Sequence, residues 1–192
     1  MSNSDLILAG TAAGGDDGTS LAWFAMPGAT GPVNTTDALD AAFLSAGLCS
    51  EDGLTAAVKE DSNDIGAFGL FVPARTIVTS SVTTFKLTML ESNPVSLAVY
   101  NRKALTAIVP DSGGAFSFAT GKHARQRMAG VFDIVDDNDH LRAYCPAIEV
   151  TDRDDIDTKK GDSISYGVTL TAFPDSQGNA IYWMYKMGAL AS

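Results

Sequence analysis

Residues 75–91 read RTIVTSSVTTFKLTMLE, and this stretch decides the fold. Its seventeen residues include no Gly or Pro and are rich in Thr, Val, Ile and Phe, which are residue types that favour β-strands. Phe85, Leu87 and Met89 alternate with other residues, which is the period of a half-buried strand. At about 3.3 Å per residue the strand would span about 55 Å. That length exceeds the core of one small domain, so we expect part of the strand to meet another structure, such as a neighbouring subunit.

A short helix is predicted directly after this strand. Ser92 or Asn93 can serve as the N-cap, Pro94 fits the first turn, and residues 95–100 continue the helix. A second short helix is predicted at 37–43.

The rest of the chain consists of shorter strand patterns separated by turns. The acids are 19 Asp and only 4 Glu, and Asp favours turns and caps where Glu favours helix interiors. The remaining predicted strands cover residues 20–26, 48–51, 54–59, 125–135, 140–150, 163–173 and 180–185. The pair Asp52-Gly53 predicts a hairpin between the second and third of these. The fold class is therefore mainly β, a sandwich or barrel with one main helix.

The length of 192 residues predicts one domain with a sizeable core. Residues 1–19 show no periodicity and are predicted to form a flexible N-terminal arm, and residues 20–192 a single domain. No apolar run approaches the roughly 20 residues that cross a bilayer, and the first ten residues lack the basic start of a signal peptide. Neither secretion nor membrane insertion is expected, and two cysteines are too few for a disulfide framework.

The charge balance is acidic. Lys and Arg total 13 against 23 Asp and Glu, which gives a net charge of −10. Such a balance argues against a surface built to bind nucleic acid or anionic lipid tightly.

The residues that usually carry catalysis or bind metals are sparse. The two histidines, His123 and His140, are not spaced with Cys49 or Cys145 as zinc ligands require. Both cysteines are interpreted as small core residues rather than nucleophiles, and residues 121–122 lack the context of a phosphate-binding loop. No cofactor and no enzymatic activity are expected, although spacing alone leaves open a pair of glycosidase carboxylates.

Two Asp-rich stretches invite comparison with a calcium loop. Residues 137–139 begin like one, but Arg142 stands where Gly is required and no Glu closes the loop. Residues 152–157 fail in a similar way. Both stretches are interpreted as solvated turns or acidic surface rather than metal sites.

Several motifs, in their order and spacing, resemble those of a known family. They are GLCSEDGL at 47–54, AFG at 67–69, RT at 75–76, TFKLTMLESN at 84–93 and YGVTLTAFPD at 166–175. Together they resemble the major tail proteins, or tail tube proteins, of long-tailed, non-contractile bacteriophages, especially those that infect actinobacteria. The resemblance covers the chain from Trp23 to Trp183.

The resemblance implies a β-sandwich of two packed antiparallel sheets flanked by one α-helix. Such subunits close into hexameric rings, and stacked rings form the conduit that delivers the genome. The implied partners are further copies of the chain, the tape measure protein and the tail terminator and tip proteins, while DNA passes without tight binding and no membrane is involved. The implied location is the virion tail, and the host cytoplasm during assembly. The family is not enzymatic and needs no cofactor.

Other functions stay open. A carbohydrate-binding or capsid-decorating β-sandwich would share the composition, although it should show clustered exposed aromatic residues, which are not evident here. A bacterial secretion-tube subunit would share the fold, and a β-rich hydrolase is a third alternative.

Charge complementarity is predicted to help close a ring, because cyclic closure brings two different patches of one subunit type together. The basic cluster comprises Lys122, His123, Arg125 and Arg127, and the acidic patch comprises Asp152, Asp154, Asp155 and Asp157. If Arg125 lies on a strand, it shares one face with His123 and Arg127. The alternative is a solvated face with scattered charges.

Two further predictions concern assembly. The loop at 27–36 contains Gly and Pro but few charges, so this loop and the long strand are predicted to lie in interfaces rather than on free surface. A ring of subunits that each carry −10 is predicted to have an acidic lumen, which would repel DNA phosphates instead of holding them.

Overall fold

The computed structural model describes residues 6–14, 20–122 and 125–190. In these ranges the chain forms nine β-strands and one α-helix. In chain order they are β1 Ala12–Ala13, β2 Ala22–Ala25, β3 Leu44–Ser45, β4 Thr55–Ile65, β5 Arg75–Met89, α1 Pro94–Tyr100, β6 Arg127–Asp136, β7 Asp139–Arg153, β8 Tyr166–Ala172 and β9 Tyr182–Lys186. A single 3₁₀ turn, Gly188–Leu190, follows β9.

The strands form one antiparallel sheet in the order β3-β2-β6-β7-β8-β5-β4, with β1 paired to β6 and β9 paired to β7. Strand β7 is the pivot of this sheet, because its first half pairs with β9 and its second half with β8. The sheet curls so that β5 faces β6, although the two strands are not neighbours. Phe85 of β5 stacks on Phe132 of β6, with ring centroids 4.7 Å apart. The mainly-β fold with antiparallel strands and one helix is confirmed. The two sheets that the resemblance implies are layers of one continuous sheet, because hydrogen bonding through β7 joins them.

The core lies between the two layers of the curled sheet, one of which contains β5 and the other β6. Phe85, Leu87 and Met89 are all buried, as the alternation in β5 predicts. Helix α1 covers one side of this core, where Tyr100 contacts Tyr166 edge to face at 5.5 Å between ring centroids.

The start of α1 is also as predicted. Asn93 is the N-cap, and its Oδ1 accepts the backbone N–H of Ser96 at 2.8 Å. Pro94 occupies the first position of the helix, where its missing N–H costs nothing.

The second short helix, expected at 37–43, does not form, so this prediction is wrong. Side chains bind the local backbone instead and hold it in successive turns. Asn34 Oδ1 accepts the N–H of Asp37 at 2.7 Å, and Asp40 Oδ1 accepts that of Ala42 at 2.9 Å. Short polar side chains compete with a helix in this way.

The hairpin expected at residues 52–53 is also wrong. The segments before and after this turn pair with the same strand, β5, rather than with each other. Cys49 lies opposite Met89 in an isolated bridge, and Thr55 lies opposite Lys86. The chain before this turn and strand β4 after it therefore run along β5 one after the other. Residues 51–54 form a turn that leaves this line of pairing and returns to it.

Part of the predicted N-terminal arm is attached to the sheet. Residues 12–13 pair with β6, and the N–H of Thr11 donates to the carbonyl of Val135 at 3.2 Å. Residues 1–5 and 15–19 lie outside the described ranges. The division into an arm at 1–19 and a domain at 20–192 stays a prediction.

Candidate assembly surfaces

A two-stranded extension, here called the hairpin arm (residues 58–83), leaves the body of the subunit. Strand β8 pairs with β5 only from Thr84 to Met89, so in the arm β4 and β5 pair with each other alone. Eight residues of β4 lie in the arm, which corresponds to about 25 Å at about 3.3 Å per residue. Almost every side chain of the arm is exposed. The long strand thus extends well beyond the core, as its length predicts.

Polar pairs across the two strands hold the arm together. Thr76 Oγ1 donates to Asp64 Oδ1 at 2.6 Å, and Ser80 Oγ donates to Asp61 Oδ2 at 2.8 Å. The register shifts next to Asp61, and such a bulge bends and twists a strand pair. These pairs stabilise the arm where it has no core to cover.

The end of the arm, here called the hairpin tip (residues 65–74), is uncharged and apolar. Phe68 and Phe71 are fully exposed, at 110% and 107% of their reference areas, and Leu70 and Val72 are exposed beside them. The turn is closed by the N–H of Leu70, which donates to the carbonyl of residue 67 at 3.1 Å. Contiguous exposed apolar side chains of this kind mark an interaction site.

A second candidate surface, here called the β9 groove, lies between β9 and the loop at 31–33 and is lined by apolar residues together with Asp175 and Asn179. Its volume is about 660 Å³. Its apolar lining includes Gly31, Pro32, Val33, Tyr144, Tyr182 and Trp183.

Aromatic and polar contacts fix the floor of the β9 groove. Tyr144 and Tyr182 stack with ring centroids 6.0 Å apart, and the Tyr182 hydroxyl donates to Asp175 Oδ2 at 2.6 Å. A side chain at Gly31 would overlap the Tyr144 ring, so the loop can approach the floor only because this residue is Gly.

A buried ion pair, here called the Arg142 clamp, fixes the loop that forms one wall of the groove. Arg142 and Asp133 are buried, and the guanidinium donates twice to the carboxylate, at 2.7 and 2.8 Å. The same guanidinium also donates to the carbonyls of Asn34 and Asp37, at 3.1 and 2.8 Å. One side chain therefore fastens an irregular loop to the sheet.

His140 lies beside the Arg142 clamp. Its Nε2 is 3.3 Å from Asp133 Oδ1 but makes no hydrogen bond there. Burial lowers the pKa of His140 below its usual 6.5, and Arg142 acts in the same direction while Asp133 opposes it. The imidazole is therefore mainly neutral at pH 7.

The structure places the predicted basic cluster at the start of β6. Lys122 and Arg125 are exposed in the preceding loop, and His123 lies outside the described residues. Strand β6 begins at Arg127, so the expectation that Arg125 lies on the strand is wrong. Arg127 Nε donates to Glu149 Oε1 at 3.0 Å, and its guanidinium lies 4.8 Å from the Phe173 ring centre. Arg127 is thus engaged within its own subunit.

The predicted acidic patch begins at Asp152 near the end of β7 and continues beyond the strand, and its four residues are exposed. Asp154 pairs with Lys86 at 3.1 Å and Asp157 pairs with Lys159 at 3.0 Å. Asp152 Oδ1 accepts the N–H of the next residue at 2.9 Å. Asp155 makes no ion pair or hydrogen bond to any described residue. Whether the two patches meet across an interface stays a prediction.

The cysteines are placed as expected of packing residues. Cys145 is buried in the core, and Cys49 is half-buried at its edge. Burial raises the pKa of Cys145 to about 12, and burial together with Glu91 raises that of Cys49 to about 11. Neither thiol is a ready nucleophile at neutral pH.

The described ranges contain no group of three or more His, Cys, Asp or Glu side chains that could hold a metal ion. The same ranges hold no helix long and apolar enough to cross a membrane.

Comparison with known proteins decides the family. A family model described as "Phage tail tube protein" matches residues 16–190. The chain belongs to this family. The resemblance seen in the sequence motifs is thereby confirmed, whereas the actinobacteriophage type stays a prediction. As a phage tail tube family member, the chain is a structural protein of the tail, a multi-subunit assembly of the virion.

Structural and curated comparisons add little to this assignment. Among solved structures, the chain is similar to one titled "Cryo-EM structure of the anti-feeding prophage (AFP) baseplate, 6-fold symmetrised", with 10% identity and a TM-score of 0.37 over 85% of this chain and 90% of that chain. No curated protein matches the chain.

The surface that sequence reasoning missed in this tail tube protein is the hairpin tip. The end of the first arm strand was expected at residue 59, whereas β4 continues to Ile65. A signal was present, since residues 66–74 carry no charge yet include Phe68 and Phe71 between glycines and a proline. An uncharged, aromatic turn between two polar strands indicates an exposed contact surface.

Proposed function

We propose that this tail tube protein forms hexameric rings that stack into the conduit for genome delivery. The observation that carries the proposal is the hairpin arm, which extends from the body and ends in exposed Phe68 and Phe71. An isolated subunit gains nothing from an apolar tip in water, whereas a polymer can bury it.

The outer edge of β4 supports the same proposal. Strand β4 is the last strand of the sheet, and its eleven residues leave one side of their backbone without a strand partner among the described residues. A long unpaired edge is a template for pairing with another chain. Repetition around a closed ring would cover such edges in every subunit.

Charge pairing between neighbours is proposed to contribute to ring closure. Within the predicted patches, Lys122, Arg125, Asp152 and Asp155 make no ion pair with another described residue, so they are the ones available to a neighbour. Exposed pairs contribute only about 0–1 kcal/mol each, so their main effect is on orientation and association rate.

The Arg125→Glu variant tests the charge pairing. We expect it to require a higher protein concentration for ring formation and to weaken the salt dependence. The Arg125→Glu, Asp155→Lys double variant restores the opposite charges and should regain assembly. Unchanged rings in Arg125→Glu, or no recovery in the double variant, would contradict this pairing.

Passage of DNA without tight binding is proposed to follow from the acidic balance. Each subunit carries −10, and the arm contributes Glu60, Asp61 and Asp64 against Lys59 and Arg75, a net charge of −1. A wall of net negative charge repels phosphates and does not displace the counterions of DNA, as Lys and Arg contacts would. The tape measure, terminator and tip proteins are proposed as further partners, and the host cytoplasm as the site of assembly. Tight binding of the assembled protein to duplex DNA at physiological salt would contradict a repelling lumen.

Negative-stain electron microscopy and light scattering on the purified protein test the assembly directly. Rings, or tubes of stacked rings with sixfold end views, are expected as protein concentration rises. A folded monomer at every concentration and salt would overturn the proposal, and rings of another symmetry would overturn its hexameric form.

A further inference from the structure

We infer that the hairpin tip of one subunit docks into the β9 groove of a neighbouring subunit. This inference rests on the proposed assembly and adds to it the two surfaces that meet. It commits to a second copy of this chain as the occupant of the groove.

The tip cannot be docked within its own subunit. Phe68 and Phe71 are fully exposed, so neither ring touches the groove of the same chain. The tip has no charge between Ile65 and Ala74, and its five large exposed apolar side chains therefore need an apolar acceptor on another molecule.

The groove has the size and chemistry to accept the tip. Its volume of about 660 Å³ falls within the roughly 300–1,000 Å³ of sites that enclose sizeable ligands. Val33 on one wall is 82% exposed and Trp183 on the other is 44% exposed, so apolar surface is available on both sides of an entering ring. Aromatic side chains seated in a partly formed pocket are typical centres of protein interfaces.

Charge at the margins of the two surfaces is complementary. Arg75 directly follows the tip and makes no ion pair within the described part of the chain. Asp175 lines the groove, and hydrogen bonds from Tyr182 and the backbone of its turn keep its pKa below the usual value. A docked tip would place a free guanidinium near a carboxylate that stays ionised at neutral pH.

The contact joins two different patches of one subunit type. Such a heterologous contact propagates to rings or filaments and does not stop at a dimer. The loop at 27–36, predicted from its composition to lie in an interface, supplies Gly31, Pro32 and Val33 to the groove. The arm and this loop thereby become the two halves of one contact.

Cross-linking of mixed subunits tests the pairing. Phe71→Cys protein and Val33→Cys protein are purified separately, mixed under assembly conditions and treated with a short bis-maleimide. Both positions are exposed, and the native cysteines are half-buried or buried. We expect cross-linked dimers from the mixture and none above the wild-type background from either variant alone.

A matched control replaces the groove position by another exposed Val. Val109 is 73% exposed and lies outside both surfaces, so Phe71→Cys mixed with Val109→Cys should give no cross-link. Rings that form without a Phe71–Val33 cross-link, or with Phe71–Phe71 dimers instead, would overturn the docking while leaving the proposed function intact. Failure of the wild-type chain to assemble would overturn both.

The energetic test removes the two aromatic rings. The Phe68→Ser, Phe71→Ser double variant should stay folded, with an unchanged unfolding midpoint of the unassembled subunit, because neither ring packs within its own chain. Burial of even one Phe stabilises enough that its loss should raise the concentration for assembly at least about tenfold. The Val109→Ser variant should assemble like wild type. Assembly of the double variant at the wild-type concentration would overturn the inference.

Discussion

Loss of the Asp133 carboxylate should be among the most damaging single changes in the body of the subunit. The Asp133→Leu variant keeps the shape of the side chain but leaves the guanidinium of Arg142 buried without its counter-ion, since Arg142 is 2% exposed and Asp133 is fully buried. Breaking a buried pair in this way costs about 3–5 kcal/mol. With an m-value of about 2 kcal/mol/M, the urea midpoint should fall by about 1.5–2.5 M.

Two comparison variants sharpen this prediction. Lys86→Met breaks the Lys86–Asp154 pair, whose side chains are 53% and 49% exposed, so it should cost no more than about 1 kcal/mol. Asp133→Leu combined with Arg142→Met removes both buried charges, and replacing a buried pair by apolar residues is often close to neutral. The double variant should therefore be more stable than Asp133→Leu alone.

Urea unfolding of the unassembled subunit, followed by Trp fluorescence, measures all three variants. A loss below about 1 kcal/mol in Asp133→Leu would refute the view that the Arg142 clamp holds the loop through a buried charge. A double variant no more stable than the single variant would also refute it, because removing the unpaired buried charge would then recover no stability.

Three further predictions concern single groups. Burial lowers the pKa of His140 below 6.5, so the unfolded chain binds more protons and stability should fall as the pH drops below about 6.5; urea titrations at several pH values should show this part of the pH dependence missing in His140→Gln. Asn93→Ala removes the N-cap of α1 and the 3.1 Å bond from Nδ2 to the carbonyl of Ala46, so calorimetry should show a loss of about 1–2 kcal/mol. Burial raises the pKa of Cys145 to about 12, so iodoacetamide at pH 8 should leave Cys145 unmodified in the native protein and alkylate it in urea, as read by mass spectrometry.

The sequence predicted those elements that depend only on residues close together in the chain. The alternation of Phe85, Leu87 and Met89 identified the buried face of β5, since the period of two depends only on the strand itself. The cap at Asn93 and the proline after it identified the start of α1 for the same reason. The family resemblance carried the rest of the assignment.

Long-range contacts explain what the sequence did not predict. Residues 37–43 carry a plausible helix start, but Arg142 binds the carbonyl of Asp37 from more than a hundred residues away and holds the loop in another shape. Residues 52–53 carry a strong hairpin signal, but β5 is long enough to pair with the chain on both sides of the turn. Neither outcome could be read from a short window of sequence.

For the candidate surfaces, too, the sequence predicted local features but not long-range contacts. The basic and acidic patches were visible as charges, yet Arg127 and Asp154 are already paired with Glu149 and Lys86, which no spacing rule shows. The β9 groove is lined by a loop, by β7 and by β9, which are distant in the sequence. It therefore exists only in the folded chain.

The hairpin arm separates what holds the subunit together from what is proposed to join it to others. A two-stranded ribbon without a core is at best marginally stable in water, and here polar pairs such as Thr76–Asp64 and Ser80–Asp61 take the place of a core along its length. Those pairs keep the strands aligned without adding apolar surface, so the arm can stay solvated until assembly. The largest exposed apolar side chains of the arm, Phe68 and Phe71, lie at the tip, while the smaller Val58, Ile77, Val78 and Val82 are exposed along its length. Because the body buries its own core and the tip buries nothing, the free energy gained at the tip is available to assembly alone.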